Sequence, residues 1–203
     1  MTRLLVASRN SKKLAELRRV LDGAGVSGLQ LVSLADVPEF PETPETGATF
    51  EENALVKARD GYAATGLPCV ADDSGLAVGA LNGMPGVLSA RWAGTHGDDV
   101  GNYRLLLAQL ADVPDERRGA AFVSACALVC EIDGELREYV VRGEWAGVIA
   151  TGPRGDGGFG YDPIFVPEGG DLSAAQLSPE QKDAASHRGR ALVQLVPALR
   201  TLV

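Results

Sequence analysis

The chain has 203 residues, of which 45% are hydrophobic and 23% charged, a composition that excludes wholesale disorder and suits one globular domain. Its 19 Lys and Arg residues stand against 27 Asp and Glu residues, which gives a formal net charge of −8. A general nucleic-acid binder needs a basic surface, so that class of protein is excluded. An anionic ligand would require cations gathered at one place.

The three cysteines, Cys69, Cys126 and Cys130, are an odd number and lack the paired spacing of a zinc site. We interpret them as reduced, buried thiols. The most apolar stretch, 120–130, has eleven residues, whereas a membrane-spanning helix needs about 20. The apolar run near the N-terminus is too short for the core of a signal peptide. We therefore expect a cytoplasmic protein with no membrane partner.

The chain opens with a predicted strand, loop and helix. The apolar run 4–7 is bounded by polar residues, as in a buried strand. Leu14, Leu17 and Leu21 then recur at the spacing of one helical face. A helix after a short polar loop is the expected connection.

That polar loop carries groups that bind phosphate. Ser8 and Asn10 offer side-chain donors, and Lys12 and Lys13 place charge in the first helical turn, where free backbone N–H groups also point outwards. The alternative is a well-capped surface helix with solvated lysines. An ordinary P-loop is excluded, because the sequence contains no Gly-Lys-Ser/Thr.

An acidic, proline-rich segment over 37–47 predicts an extended loop, in which Glu39, Glu42 and Glu45 are either metal ligands or solvated side chains. A helix follows. Thr49 and Glu52 have the spacing of a capping box, and the helix has an apolar face that begins directly after Thr49. Its members are Phe50, Ala54 and Ala58.

A short buried strand over 69–71 is predicted to end at the pair Asp72 and Asp73, which Ser74 and Gly75 follow. Neighbouring residues of a strand face opposite ways, so only one of the two carboxylates enters a given cleft. Such a carboxylate suits Mg²⁺, which takes one or two carboxylates together with water and phosphate oxygens. The alternative is an Asx turn with Gly75 in an unusual φ.

Further along, the pattern predicts a helix over 100–110 and a β-hairpin of strands 120–129 and 136–141. Asp133 and Gly134 stand between the two strands, and Asp-Gly is a strong hairpin turn. Mixed α and β structure is the expectation.

A G-x-G-x-x-G pattern over 155–160 formally matches a dinucleotide-binding fingerprint. The fingerprint requires a helix at its third glycine, and Pro163 with the β-rich residues after it opposes one. Phe159 and Tyr161 within this glycine-rich segment indicate a loop that approaches a flat ligand, on which a ring stacks. A glycine-rich hairpin with two core aromatics is the alternative.

Near the C-terminus, 178–181 has the residues of a helix start, and an amphipathic helix is predicted over 192–199. Between them lie Lys182, His187 and Arg188. The chain has only two histidines, so a histidine metal cluster is excluded. The planar donors of Arg188 suit a phosphate or a base carbonyl.

Taken together, six motifs resemble one known family, the inosine/xanthosine triphosphate pyrophosphatases, also called dITP/XTP diphosphatases. The resemblance runs in order from about residue 3 to about residue 200. The motifs are Ser8-x-Asn10-x-x-Lys13, Glu45-Thr46-Gly47-x-Thr49-Phe50-x-Glu52-Asn53-Ala54, Ala71-Asp72-Asp73-Ser74-Gly75-Leu76, Gly83-x-Pro85-Gly86-Val87-x-Ser89-Ala90-Arg91, Gly158-Phe159-Gly160-Tyr161-Asp162-Pro163 and Ser186-His187-Arg188-Gly189.

The resemblance implies one domain over 1–203 with an α/β fold: two lobes, a long central mixed β-sheet flanked by helices, and an active-site cleft between the lobes. It also implies a Mg²⁺-dependent homodimer. The implied reaction converts ITP, dITP and XTP to the monophosphate and pyrophosphate, which keeps deaminated purines out of DNA and RNA. No nucleic-acid partner is implied.

By position, the resemblance implies Asp73 as the acid/base residue and a metal ligand. We choose Glu45 as the second Mg²⁺ ligand because it opens a matching motif, with Glu42 and Glu39 as alternatives. Arg9 stands where the family often has Gly. The implied substrate-binding residues are Ser8, Arg9, Asn10, Ser11, Lys12, Lys13, Ser74, Phe159, Gly160, Tyr161, Asp162, Lys182, His187 and Arg188.

Base choice follows from hydrogen-bond polarity. Hypoxanthine and xanthine present an acceptor at O6, whereas adenine presents an amino donor, so backbone N–H groups, Lys182 or Arg188 would be left unpaired against adenine. Two rival hypotheses are a pyrophosphatase for modified pyrimidine nucleotides and a non-catalytic nucleotide sensor. Retention of Asp73, Lys13 and Lys182 disfavours the sensor, because binding alone needs no water-activating acid.

Overall fold

The protein, described here by a computed structural model, forms one six-stranded sheet with five α-helices. The strands are β1 (Thr2–Val6), β2 (Leu29–Ser33), β3 (Cys69–Val78), β4 (Gly119–Ile132), β5 (Glu135–Ile149) and β6 (Phe165–Pro167). The helices are α1 (Ser11–Gly23), α2 (Phe50–Thr65), α3 (Asp99–Gln109), α4 (Pro179–Ala185) and α5 (His187–Arg200). The structure describes the backbone of residues 1–203 and all side chains except those of Ser11, Lys12, Pro179, Asp183 and Ala184.

The sheet is mixed and has the order β2-β1-β3-β4-β5-β6. β1 pairs in parallel with both β2 and β3, and β5 pairs antiparallel with β6. The predicted Asp-Gly turn joins β4 to β5, with φ of 54° at Asp133 and 76° at Gly134, as a two-residue hairpin turn requires. The predicted α/β fold with a mixed sheet and flanking helices is confirmed.

The chain divides into two compact units. Unit 1 comprises Met1–Asp73, Ser124–Gly143 and Arg188–Val203, and unit 2 comprises Ser74–Val123 and Glu144–His187. β3, β4 and β5 therefore each contribute residues to both units. The single domain and the cleft between lobes that the resemblance implies stay predictions.

Unit 1 is built around aliphatic side chains from β1, α1, β4 and α5, with Leu4, Leu17, Leu128 and Leu195 almost fully buried. The apolar faces predicted for α1 and for the last helix are confirmed, because both turn into this cluster. Burying each such side chain contributes about 1.5–3 kcal/mol. All three cysteines are buried free thiols, as predicted.

Unit 2 has an aromatic core. The ring of Phe165 lies 4.6 Å from that of Phe122 and 5.5 Å from that of Trp145, measured between centroids. Arg118 of the same unit is also buried, and its guanidinium donates hydrogen bonds to backbone carbonyls. Those carbonyls belong to Leu110, Val113, Ile149 and Ala150.

One prediction about β3 is wrong: the strand does not end at Asp72 but continues to Val78. Gly75 makes this possible, since a Cβ there would lie 2.6 Å from the carbonyl oxygen of Gly86 and would also collide with Ser89. Gly75 is needed for close packing and not for a positive φ, so the Asx-turn alternative is wrong as well. No helix in the described part of the chain is long and apolar enough to cross a bilayer.

Candidate active site

The two neighbouring carboxylates of β3 have different partners, as strand alternation predicts. Asp72 is the buried counter-ion of two cations. Its Oδ1 lies 2.8 Å from Nζ of Lys13, and its Oδ2 accepts a 3.0 Å hydrogen bond from Nε of Arg188. Arg188 also donates to Glu16 over 2.9 Å. Asp72 thus brings together Lys13 and Arg188, which lie far apart in the sequence.

The charges of this cluster stabilise one another. Burial opposes ionisation of Asp72, but Lys13 and Arg188 outweigh burial and hold the pKa of Asp72 below its ordinary range. Burial likewise opposes the charge on Arg188, and Asp72 and Glu16 outweigh it, so the pKa of Arg188 is raised. Asp72 is therefore ionised at neutral pH and positions two cations.

Asp73 belongs to a second cluster within unit 1. Its Oδ2 accepts a 3.0 Å hydrogen bond from Nδ2 of Asn53, and its Oδ1 lies 3.3 Å from Nζ of Lys57. Asn53 also accepts a 2.8 Å hydrogen bond from the backbone N–H of Gly47, so one amide side chain connects Asp73 to the acidic loop. Burial raises the pKa of Asp73 even though Lys57 and Asn53 lower it. A general base gains from such a shift towards neutral pH.

The position of Glu45 distinguishes it from the other two candidate metal ligands. Oε1 of Glu45 lies 2.8 Å from Nζ of Lys57, so Glu45 and Asp73 converge on the same ammonium group. Glu42 instead pairs with Arg9 over 2.7 Å, and Glu39 lines a cavity that Arg9 and Glu42 also line. Two convergent carboxylates suit Mg²⁺, which completes its shell with water and phosphate oxygens. Among the described side chains, no group of three or more His, Cys, Asp or Glu could hold a metal ion alone.

The predicted phosphate loop lies at the N-terminus of α1. The N–H of Asn10 donates to Oγ of Ser8 over 3.1 Å, and the N–H of Lys13 donates to the carbonyl of Asn10 over 3.1 Å. An open cavity of about 700 Å³ has Ser8, Arg9 and Asn10 among its lining residues. The predicted roles of Ser11 and Lys12 lie outside the described side chains.

The glycine-rich segment forms a loop in unit 2, as predicted, with φ of 74° at Gly158 and 61° at Gly160. Phe159 is 50% exposed at its tip, and Nζ of Lys182 lies 4.9 Å from the centroid of its ring. Asp162 is buried and accepts hydrogen bonds from the N–H of Phe159, over 2.7 Å, and from Nζ of Lys182. These predicted site residues are close together.

Other predicted site residues have core positions. The ring of Tyr161 is buried, and its hydroxyl donates to the carbonyl of Ser89 over 2.9 Å. His187 is buried and stacks on Phe122, with ring centroids 5.1 Å apart and an interplanar angle of 15°. Ser74 directly follows Asp73 in β3 and is half-buried. Tyr161 is therefore a core aromatic residue, the alternative given above, and its ring is not placed to stack on a ligand.

Sequence reasoning missed Asn53, Lys57 and Glu16 as members of the site. Two local signals were present. Asn53 and Lys57 are four residues apart on α2, and Lys13 and Glu16 are three apart on α1, so each pair shares a helix face. Lys57 lies about one helical turn after Ala54, the last residue of the motif that begins at Glu45, and this spacing would have identified it.

Comparison with solved structures first defines the class of fold. A crystal structure titled nucleoside-triphosphatase / dITP/XTP pyrophosphatase, from Mycobacterium abscessus, matches with a TM-score of 0.82 and 69% identity, covering 98% of this chain and 100% of that chain. A HAM1 protein from Coxiella burnetii matches with a TM-score of 0.87 and 42% identity, covering 98% of each chain. The α/β fold described above is the fold of these proteins.

The family then follows from the sequence. A model described as the Ham1 family matches residues 4–198. A protein of Nocardia farcinica named dITP/XTP pyrophosphatase is 75% identical over 202 residues, which cover 100% of this chain and 97% of that protein. A protein of the same name from Mycobacterium tuberculosis is 74% identical with the same coverage. The chain belongs to the Ham1 family.

Proposed function

We propose that the protein hydrolyses ITP, dITP and XTP to the nucleoside monophosphate and pyrophosphate. Relatives that bear the name dITP/XTP pyrophosphatase align with the whole chain at identities of 74–75%. The observation that carries the proposal is the cluster around Asp73, a buried carboxylate whose hydrogen bonds fix its orientation and whose neighbours are a lysine and a second carboxylate. Phosphoryl transfer needs this kind of positioning and charge neutralisation.

In the proposed reaction, Asp73 is the proton acceptor. The oxygen of water bonds to the α-phosphorus, the bond from that phosphorus to the bridging oxygen breaks, and pyrophosphate leaves. One proton of the water passes to Asp73. Asn53 holds the carboxylate in one orientation, and Lys57 and Lys13 supply positive charge for the triphosphate.

Asp73 and Glu45 would hold Mg²⁺, because their oxygens already converge on one cation, the ammonium group of Lys57. Bound there, the ion would neutralise phosphate charge. Lys57 would keep its contact with the same carboxylates or donate to the phosphates.

We assign the base to the loop of unit 2. The ring of Phe159 offers a stacking surface, and Lys182 lies over the same ring. The N–H groups of Phe159 and Gly160 already donate to carboxylates, so we assign the purine O6 to Lys182 of α4, beside the loop. An ammonium group has three protons, and Asp162 needs only one of them.

The proposal includes removal of deaminated purine nucleotides from the precursor pool in the cytoplasm, by a homodimer. Size-exclusion chromatography with light scattering tests the dimer, for which we expect twice the mass of the chain. A monomer at micromolar concentration would contradict that part of the proposal alone.

The decisive experiment is product analysis with Mg²⁺ on ITP, XTP, dITP, ATP, GTP and a pyrimidine triphosphate. We expect pyrophosphate plus IMP, dIMP or XMP, with ATP and GTP nearly untouched. Orthophosphate as the product, or preference for a pyrimidine, would overturn the proposed reaction. Absence of turnover with every substrate would favour a nucleotide sensor.

Replacement of Lys13 tests the triphosphate assignment. Lys13→Ala is expected to raise KM for ITP about ten- to hundredfold, because one charged hydrogen-bond donor is lost. It also removes one of the two cations beside buried Asp72, so the free energy of unfolding falls. Arg19→Ala, an exposed change on the same helix, is the matched control. Equal KM values for Lys13→Ala and the unaltered protein would remove Lys13 from the phosphate site.

A further inference from the structure

The N-terminus of α3 carries two neighbouring carboxylates with different partners. Asp98 caps the helix, since its Oδ1 accepts a 2.9 Å hydrogen bond from the N–H of Gly101. Asp99 reaches out of the helix instead, and its Oδ2 accepts a 2.7 Å hydrogen bond from the N–H of Gly160. Asp99 and Gly160 are 61 positions apart and belong to the same unit. Asp99 therefore contacts the loop that displays Phe159.

The loop is not part of a β-strand, and hydrogen bonds that involve side chains hold its shape. Three consecutive residues are each held by a different partner: Phe159 by Asp162, Gly160 by Asp99 and Tyr161 by Ser89. Gly158 and Gly160 have the positive φ values given above, a conformation that costs other residues free energy. Glycine adopts these values without steric cost, but it loses more conformational freedom than other residues when it is fixed, so the turn depends on the hydrogen bonds that hold it.

The carboxylates of Asp99 and Asp162 also determine which kind of group the loop can bind. Successive N–H groups in a glycine-rich turn form a concave donor site that attracts anions. Here Asp162 and Asp99 already occupy the N–H groups of Phe159 and Gly160. A phosphate would meet two carboxylates and no available donor among these two groups. An uncharged, flat group suits this surface, and the exposed ring of Phe159 offers it a stacking partner.

We propose that Asp99 is a positioning residue for the nucleobase: it fixes the Gly158–Tyr161 turn, and through it the ring of Phe159, for stacking on the purine. The inference rests on the proposed function, since it names a residue that supports the base end of that site. Asp99 itself does not need to touch the substrate.

The test compares Asp99→Ala with Asp98→Ala. Both remove a carboxylate from the first turn of α3, but only Asp99→Ala removes the bond to Gly160. Asp99→Ala is expected to raise KM for ITP about tenfold, the factor expected for one charged hydrogen bond, with little change in kcat. The inhibition constant of IMP rises with KM, and that of pyrophosphate does not change. Asp98→Ala lowers stability and leaves all three constants unchanged.

Asp99→Asn is the conservative variant, because its amide oxygen can still accept from Gly160. We expect it to recover most of the KM and to restore slow amide hydrogen exchange at 158–161, which Asp99→Ala accelerates. Unchanged KM in folded Asp99→Ala, or equal effects of Asp98→Ala and Asp99→Ala, would overturn the inference while the proposed function stands. Absence of ITP hydrolysis by the unaltered protein would overturn the proposed function and the inference with it.

Discussion

Asp73→Asn is expected to lower kcat for ITP by about 10²–10⁴-fold, the contribution of a positioned general base. The substitution removes the ionised group with almost no change in volume. The amide oxygen can still accept the hydrogen bond from Asn53, so one of the two contacts of the side chain is conserved. The loss therefore measures what the ionised carboxylate contributes, both as proton acceptor and as proposed Mg²⁺ ligand. Steady-state kinetics with separate assays for pyrophosphate and orthophosphate provides the measurement.

The same variant is expected to be as stable as the unaltered protein, or more stable. Burial raises the pKa of Asp73, so its ionised form is disfavoured in the folded state, and this cost is present at pH 7. A neutral amide removes that cost, while Lys57 keeps Glu45 as a partner. Urea denaturation at pH 7 checks the sign. Near-normal hydrolysis by folded Asp73→Asn would show that another group accepts the proton.

The sequence predicted those parts of the fold that local chemistry decides. Asp133 and Gly134 specify a two-residue turn because both adopt positive φ, and this preference does not depend on the sequence of the two strands. The cap of α2 is likewise local, since Oγ1 of Thr49 accepts from the N–H of Glu52 three residues later. Opposite surroundings for Asp72 and Asp73 follow from strand alternation alone. None of these requires knowledge of a distant partner.

The rest of the site depends on contacts between distant residues. Asp73 meets Asn53 across 20 positions and Lys57 across 16, and Asp99 meets Gly160 across 61. Composition and periodicity do not specify such pairs. The same limit applies to the two rings of the glycine-rich loop: both fit a stacking role in sequence, yet only Phe159 is exposed, whereas Tyr161 is buried with its hydroxyl on Ser89.

Asp72→Asn, one position away, is expected to lower stability and, because Lys13 loses its partner, to raise KM for ITP, while kcat changes little. It is expected to lower the free energy of unfolding at pH 7 by about 3–5 kcal/mol, because removing one partner of a buried ion pair leaves the other charges uncompensated. Of the two described carboxylates beside Arg188, only Glu16 would remain, and Lys13 would lose the carboxylate beside it. Urea denaturation measured beside Asp73→Asn gives the comparison.

The pH dependence identifies the cause of that loss. The pKa of Asp72 is lowered in the folded state, so its stabilisation is complete above the unfolded value of about 3.9 and is lost as pH falls through the folded value. The difference in unfolding free energy between the unaltered protein and Asp72→Asn should therefore shrink below about pH 4. A difference that is small at pH 7, or that persists unchanged in acid, would contradict the role of Asp72 as a buried counter-ion. Since neighbouring strand residues face opposite ways, two isosteric changes one position apart should separate stability, which Asp72 supports, from kcat, which depends on Asp73.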